Sequence, residues 1–188
     1  MITLRNTCAL GLALAAGIAA QVDPYTPVLR PGVSVEMAVT KNAVPLPQAD
    51  ANDARVVAVT ASGKVYLDVT AVRTEELASK LKGTANIFVK ADSHAAFAVV
   101  YKVLEAMRQA GLDQPLLLTS QSGRPEAGRP VPPAGLAVHT GAAAGAGNAM
   151  QVALRAPALA TFGDVVRIID ACRGERADVF LTIPSPAR

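Results

Sequence analysis

The sequence predicts an α+β protein in which one N-terminal membrane segment precedes a small mixed sheet with helices packed on one face. Three observations predict this fold class. The first is an apolar run, Asn6–Val22, that contains no charged residue. The second is a valine-rich hairpin pattern followed by helix and strand patterns, in the order hairpin–α–β–α–β. The third is a second β–α–β pattern near the C-terminus that repeats part of the first.

The composition fits a domain built from small aliphatic side chains and argues against a nucleic-acid-binding protein. The chain has 188 residues, of which 51% are hydrophobic and 4% aromatic, and its formal net charge is +3. Its Lys and Arg residues are scattered, whereas a nucleic-acid surface clusters them and interleaves aromatic residues. Cys8 falls in the apolar run and Cys172 at an apolar position of a predicted helix, so we expect no disulfide between them.

Residues 1–24 are predicted to be a membrane anchor or a signal segment. The 17 residues of Asn6–Val22 are close to the lower limit for a membrane-spanning helix, which prefers roughly 20. The same length suits the core of a signal peptide, with small residues at Gly17–Ala20 available for cleavage. Arg5 before the run favours export of everything after Asp23 under either interpretation. The apolar side chains expected in the membrane segment are Leu10, Leu12, Leu14 and Ile18.

Residues 25–50 are predicted to be an extended, proline-punctuated linker, and residues 51–121 a small domain. Alternation from Val33 through Val39 predicts one short strand in the linker. In the domain, Arg55–Thr60 and Lys64–Val69 are valine-rich runs, and Gly63 between them can adopt the positive φ of a tight hairpin.

The hairpin pattern is followed by two helices that alternate with two strands. Thr74 is predicted to cap the first helix and Gly83 to end it, and Asn86–Lys90 is a strand pattern. Ser93 is predicted to cap a longer helix, and Pro115–Thr119 to form a buried strand. The longer helix has an apolar stripe at helical spacing, formed by Phe97, Val100, Val103, Leu104 and Met107.

Residues 122–134 are predicted to be a linker, because four prolines and two glycines fall between Ser122 and Pro133. Residues 135–188 are predicted to form a second strand–helix–strand unit, to which Leu136–Thr140 adds at most one strand. The Ala/Gly stretch Gly141–Gly147 lacks the spacing of a phosphate-binding loop and is interpreted as a plain loop.

The second unit repeats the first at an offset of 65 residues. Ala95–Phe97 matches Ala160–Phe162, and Arg108 matches Arg173. After a two-residue deletion, Leu118–Thr119 is matched to Leu181–Thr182. This self-similarity predicts a duplication in which the two copies pack together or pair with a second chain. The predicted core of the repeat consists of Phe97, Val100, Leu104, Met107, Phe162, Val165, Ile169 and Cys172.

Several segments in this order resemble the ExbD/TolR family of biopolymer transport proteins. Pro27–Met37 resembles the Gly-Val-x-Val segment that follows the membrane helix of the family, and Val56–Leu67 resembles its hairpin. Thr74–Leu77 is similar to its first helix, Phe88–Asp92 to its next strand, and Val99–Thr119 to its last helix and strand. The resemblance covers roughly half of the chain.

The resemblance implies an accessory subunit of a proton-motive-force-linked inner-membrane complex, single-pass and with a periplasmic C-terminal region. It implies a polytopic ExbB/TolQ-type partner, a homodimer formed through the periplasmic domain, and a cell-wall or outer-envelope partner. The family carries a proton-coupling aspartate in its membrane helix, but no Asp or Glu precedes Asp23 here. No residue can therefore be assigned the proton-carrying role. The alternative is a secreted or periplasmic non-catalytic binding module with a cleaved signal peptide and no transport role.

No constellation of residues predicts an enzyme, a metal centre or a cofactor site. His94 and His139 are the two histidines, and neither has a second ligand at metal spacing. Asp92, Ser93 and His94 are contiguous, whereas the members of a catalytic triad converge from separate elements. The chain is therefore expected to have no catalytic, metal-binding or cofactor-binding residues.

Overall fold

A computed structural model describes residues 31–121, 131–141 and 150–184. These residues form two sheets, three α-helices and one short 3-10 helix. In chain order the elements are β1 (Val39–Thr40), β2 (Val44–Pro45), the 3-10 helix (Pro47–Asp50), β3 (Arg55–Val59), β4 (Val65–Leu67), β5 (Thr70–Val72), α1 (Thr74–Leu81), β6 (Ile87–Ala91), α2 (Phe97–Gln109), β7 (Leu116–Gln121), β8 (Ala134–Ala137), β9 (His139–Thr140), β10 (Gln151–Arg155), α3 (Phe162–Gly174) and β11 (Asp178–Thr182).

The larger sheet is mixed, which confirms the predicted α+β class. Its order is β2–β8–β7–β6–β3–β4–β5, and β1 pairs with the end of β7. Strands β3, β6 and β7 run parallel, while β4, β5, β8 and β2 add antiparallel pairs. The smaller sheet, β10–β11–β9, is parallel throughout. Helices α1 and α2 cover the face of the larger sheet that carries Val57, Val89 and Leu117.

The predicted hairpin is confirmed. Val57 pairs with Leu67 across β3 and β4, and Gly63 has a φ of +80° in the turn between them. A third strand, β5, extends this ladder and was not predicted. The chain enters β5 through Asp68, whose φ is +57° and whose carboxylate accepts a 2.6 Å bond from Arg55 Nε. A local ion pair thus holds a turn that contains no glycine.

The short strand predicted from Val33 through Val39 was wrong over most of its length. Strand structure is confined to β1 and β2, and the segment from Val33 to Ala38 has no ladder of its own. It is held instead by single bonds, from Ser93 N–H to Glu36 O at 2.7 Å and from Ser120 N–H to Ala38 O at 3.0 Å. The alternation is seen in burial instead, since Val33, Val35 and Met37 are half-buried whereas Ser34 and Glu36 are exposed.

The segment Leu136–Thr140 also differs from its prediction, because it divides between the two sheets. Strand β8 pairs with β7 in the larger sheet, and β9 pairs with β11 in the smaller one. Val138, between the two strands, is fully buried. The predicted boundary between residues 122–134 and 135–188 therefore passes through β8. One buried cluster contains residues of both units, so the two units share a core.

The repeated strand–helix–strand units are β6–α2–β7 and β10–α3–β11, and each helix has 13 residues. The register corrects the predicted alignment after the helices. Val89 pairs with Leu117 in the first unit, and its counterpart Leu154 pairs with Leu181 in the second. Leu181 therefore corresponds to Leu117 rather than to Leu118, and one residue is deleted instead of two. The side chain of Leu118 lies in the separate cluster on the opposite face of the sheet.

No helix among the described residues is long and apolar enough to cross a membrane. The predicted membrane residues Leu10, Leu12, Leu14 and Ile18 lie outside the described residues.

Candidate functional site

The predicted core residues of the repeat come together in one cluster. Seven of them are at most 2% exposed: Phe97, Val100, Leu104, Met107, Phe162, Val165 and Ile169. Cys172 is only half-buried and packs at the edge of the cluster, whereas Met107 at the matching position is fully buried. Among the described residues, the second unit has no counterpart of α1 to cover that flank of its helix, which accounts for the difference.

The two units meet through a symmetric set of four backbone hydrogen bonds at the starts of α2 and α3. Phe97 N–H donates to Ala160 O at 2.9 Å, and its counterpart Phe162 N–H donates to Ala95 O at 2.8 Å. Ala98 N–H donates to Ala158 O at 3.0 Å, and its counterpart Gly163 N–H donates to Ser93 O at 2.8 Å. Within each pair, moving the donor forward and the acceptor back by 65 residues turns the first bond into the second. The units are therefore related by an approximate two-fold axis between Ala96 and Thr161, which form an isolated antiparallel bridge.

This junction explains why the predicted cap of α2 was wrong. The first N–H groups of a helix have no partner within it and are usually capped by a side chain. In α2 the cap residue is Ala96, and the carbonyl groups of the second unit accept the first bonds instead. Ser93 lies three residues before that cap, and its carbonyl serves α3. Thr74 is likewise the first residue of α1 rather than its cap, which is Arg73.

The turn before α2 is organised around a buried carboxylate. Asp92 accepts the backbone N–H of Glu36 at 3.0 Å and that of His94 at 3.0 Å. Burial alone raises the pKa of Asp92, but these bonds, together with the adjacent His94 ring, hold it below its usual value. The carboxylate therefore joins the segment around Glu36 to the turn that begins the junction.

Asp92, Ser93 and His94 are close together but do not have the geometry of a catalytic relay. Asp92 Oδ1 lies 3.2 Å and Ser93 Oγ 3.3 Å from the same ring nitrogen, Nδ1 of His94. A triad needs the hydroxyl and the carboxylate on opposite nitrogens of the imidazole. Among residues 31–121, 131–141 and 150–184, no group of three or more His, Cys, Asp or Glu side chains could hold a metal ion.

On its other side, α3 is attached to the chain between β1 and β2 through Asp170. Its carboxylate accepts Lys41 N–H at 3.0 Å and Asn42 N–H at 2.8 Å, and its backbone carbonyl accepts Asn42 Nδ2 at 2.9 Å. Val166, one turn earlier on the same flank of the helix, is fully buried. One flank of α3 is thus covered by the segment that the sequence predicts to be a linker.

The strongest candidate for a binding site lies on the face of the larger sheet that the helices do not cover. A cavity of about 720 Å³ opens there, which is within the usual range of roughly 300–1,000 Å³ for binding pockets. We call it the sheet-face groove. Val56 and Ala58 of β3 and Leu118 of β7 line it, and the half-exposed Val69 and Val131 stand at its margin.

Charged groups surround this apolar floor. The ion pair of Arg55 and Asp68, with 2.6 Å between Nε and Oδ2, lies at one end. Lys90 Nζ donates to Val33 O at 3.1 Å, which holds the incoming chain against the groove. Asp50 also lines the cavity, and partial burial raises its pKa. An apolar floor with a charged margin suits an extended polypeptide segment better than a small charged metabolite.

Sequence analysis did not assign the groove, although β3 carries a signal for it. After Arg55, every residue of β3 is apolar, so apolar side chains point to both faces of the sheet. A strand of that kind usually has both faces covered. The helices account for one face, through Val57 and Val59. Val56 and Ala58 lie on the other face, where Ala58 is buried and Val56 half-buried, so the pattern indicates a second apolar face that the chain itself covers in part.

Comparison of the chain with models of protein families, with curated proteins and with solved structures found no match.

Proposed function

We propose that this chain is an ExbD/TolR-like accessory subunit of a proton-motive-force-linked inner-membrane complex for biopolymer transport across the bacterial envelope. In this role the N-terminal segment anchors the chain once, and the folded region mediates dimerisation and partner binding in the periplasm. Its expected partners are a polytopic ExbB/TolQ-type subunit, a second copy of the chain and a cell-wall or outer-envelope component.

One observation carries this proposal: the order of elements in the segment that resembles the family. The hairpin β3–β4, helix α1, strand β6, helix α2 and strand β7 occur between Arg55 and Gln121 in the order that the resemblance implies, with β5 as an additional strand between β4 and α1. Fold alone does not determine function, so the support comes from this order together with the charge-free run Asn6–Val22 that precedes it.

The membrane role is tested by fractionating cells that express the full chain together with an ExbB/TolQ-type subunit. We expect the protein in the inner membrane with its N-terminal segment intact, and co-purification with that subunit in mild detergent. A mature protein that begins near Gln21 and remains soluble would contradict the proposal.

The second candidate function is the secreted or periplasmic binding module without a transport role. The absence of Asp and Glu from Asn6–Val22 and the sheet-face groove favour it. In this case Val69→Glu, at the margin of the groove, should reduce capture of an envelope partner. Val44→Glu is the matched control, because Val44 is 51% exposed against 55% for Val69 and lies outside the groove. Equal capture by both variants would argue against the groove as the binding site.

A further inference from the structure

Lys90 lies in the middle of the floor of the sheet-face groove. In the register of the larger sheet it is paired with Ala58 of β3 on one side and with Leu118 of β7 on the other. Residues paired in this way share a face of the sheet. Ala58 and Leu118 are both buried, and the Lys90 side chain between them is half-buried. The groove therefore has a cation at the centre of an apolar floor.

The ammonium group of Lys90 has no carboxylate partner in the part of the chain that the structure describes. Its hydrogen bond goes to a neutral acceptor, the carbonyl of Val33, at 3.1 Å. An ammonium carries three donors, so it can bind further acceptors. Asp68 is paired with Arg55, at 2.6 Å from its Nε. Asp50 also lines the groove, and burial raises its pKa, whereas an adjacent ammonium would lower it. The positive charge of Lys90 is therefore not neutralised by the described residues.

One wall of the groove is formed by the segment that precedes β1, and its hydrogen bonds show that it is extended. Ser93 N–H donates to Glu36 O at 2.7 Å, and Ser120 N–H donates to Ala38 O at 3.0 Å. The two acceptors are two residues apart and bond to the ends of neighbouring parallel strands. In an extended chain the backbone groups of successive residues point to opposite sides. The backbone groups of Glu36 and Ala38 thus point to one side, and those of the residues between and before them point to the other.

That other side of the segment carries backbone groups without a partner. Val33, Val35 and Met37 share it by alternation, and Val33 O on this side meets Lys90. Among the described residues, none accepts or donates a backbone hydrogen bond to Val35 or Met37. The wall of the groove therefore offers N–H and C=O groups at the spacing that a neighbouring extended chain would match.

We propose that the sheet-face groove binds an extended polypeptide segment that carries an aspartate or glutamate, and that its carboxylate pairs with the ammonium of Lys90. The bound segment lies beside Val35 and Met37 and bonds to their backbone groups, as an added strand does. Its apolar side chains cover Val56 and Ala58 on the floor. The carboxylate forms a charge-assisted bond with Lys90, which is stronger than the existing bond to a neutral carbonyl.

Two observations favour a polypeptide with one acidic residue over other anions. The backbone groups of Val35 and Met37 require matching N–H and C=O groups, which a fatty acid does not have. The floor carries one cation among apolar residues, so a strongly acidic segment would place further carboxylates on apolar surface without a partner, which is costly. The groove therefore fits a segment in which one acidic residue has apolar neighbours.

This inference specifies the partner binding of the folded region, which both candidate functions share, and it rests on the proposed function in that respect alone. The two can fail separately. A chain that stays in the membrane and co-purifies with its subunit, but binds no acidic peptide, would overturn only the present inference. A soluble chain without its N-terminal segment that binds acidic peptides through Lys90 would overturn only the membrane role.

The first test selects binders from a displayed library of short random peptides. The full chain is presented in lipid nanodiscs, or in solution if fractionation yields a soluble form, because detergent would compete for the apolar groove. Enriched peptides should carry Asp or Glu with apolar neighbours, and Lys90→Met should abolish this enrichment. Lys102→Met is the matched control and should retain it, since Lys102 is exposed on α2 and lies outside the groove. Enrichment of no peptide, of peptides without an acidic residue, or of the same peptides by Lys90→Met would overturn the proposal.

The second test measures the coupling between Lys90 and the acidic residue by fluorescence anisotropy. The most enriched peptide is compared with its amide version, in which Gln replaces Glu or Asn replaces Asp. The parent chain should bind the acidic peptide more than about tenfold tighter than the amide version. Lys90→Met should bind the two equally, and Lys90→Arg, which keeps the charge, should retain most of the preference. An equal loss of both peptides in Lys90→Met would show that Lys90 does not contact the acidic residue.

Two further results would identify a different occupant and overturn the proposal. Displacement of the peptide by dodecanoate at the same concentration would show that the groove takes an amphipathic acid. Peptide binding that appears only after Asp23→Asn and Glu126→Gln would show that an acidic residue of this chain already occupies the groove.

Discussion

Phe97 and Phe162 begin the two helices of the repeat, and truncating either one should destabilise the whole folded region. Phe97 is fully buried and Phe162 is 2% exposed, and both belong to the same core cluster. Replacing a buried phenylalanine with alanine removes its transfer free energy and leaves a cavity, which together cost about 3–5 kcal/mol. At a urea dependence of about 2 kcal/mol per molar, this lowers the unfolding midpoint by roughly 1.5–2.5 M. Lys102→Ala, on the exposed face of α2, should change the free energy of unfolding by less than about 0.5 kcal/mol.

The assay follows urea unfolding of the full chain in mild detergent by two signals. The chain has no tryptophan, so its emission comes from three tyrosines: Tyr66 in β4, Tyr101 in α2, and Tyr25, which lies outside the described residues. Circular dichroism reports the helices of both units. If the shared core makes the units cooperative, Phe162→Ala should shift the two signals equally, although Phe162 is in the second unit. A shift in circular dichroism with an unchanged tyrosine transition would refute the shared core.

Two further predictions concern the junction and the turn that leads into it. Gly163→Ala should destabilise the fold by about 1–3 kcal/mol in thermal unfolding, because its Cβ would lie 3.1 Å from the backbone oxygen of Ser93. Gly174→Ala, also in α3, should cost less, because its Cβ would lie 3.1 Å from the side chain of Asn42, which can shift if its bond to Asp170 O is lengthened, rather than from backbone. Stability should fall as the pH drops below about 3.8 toward the lowered pKa of Asp92, because the folded state then loses its preference for the charged carboxylate. Asp92→Asn should flatten this part of the pH profile relative to the parent chain, and an unchanged profile would contradict the role given to Asp92.

The elements that could be predicted from the sequence are those whose signal is local. The apolar stripe of α2 and the glycine of the hairpin depend on helical spacing and on positive φ, and both are read from a few neighbouring residues. The predicted cap at Ser93 was wrong for a physical reason. Capping preferences assume that a helix start faces solvent, whereas the start of α2 faces a second helix start whose preceding carbonyl groups accept its bonds.

The parts of the candidate site that sequence analysis missed depend on contacts between distant segments. Asp170 corresponds to Glu105 in the first unit, and nothing near Asp170 in the sequence indicates that it binds the backbone at Lys41 and Asn42. The sheet-face groove is similar, since its floor comes from β3 and β7, which are not neighbours in the sheet. Only the apolar residues on both sides of β3 indicate that the sheet has a second apolar face, and they do not identify what covers it.

The two copies of the repeat share a sequence pattern but differ in which helix flank is buried, because different segments surround them. In the first unit the pattern lies at the centre of the sheet, where β3 and α1 cover one flank and β8 continues the sheet on the other. In the second unit the helix is held on one flank by Asp170 and keeps an apolar residue, Ile168, exposed on the other. Ala153 is the counterpart of Phe88, which is buried on the face of the larger sheet opposite the helices. Ala153 is exposed, and a small residue is expected where no described segment covers the corresponding face. Ile168 has undergone no such change to a polar residue, although it is equally uncovered. The positions one turn before and two turns after Ile168 are charged, since Asp164 matches Val99 and Glu175 matches Ala110, so this flank of α3 is mixed where the flank of α2 is apolar.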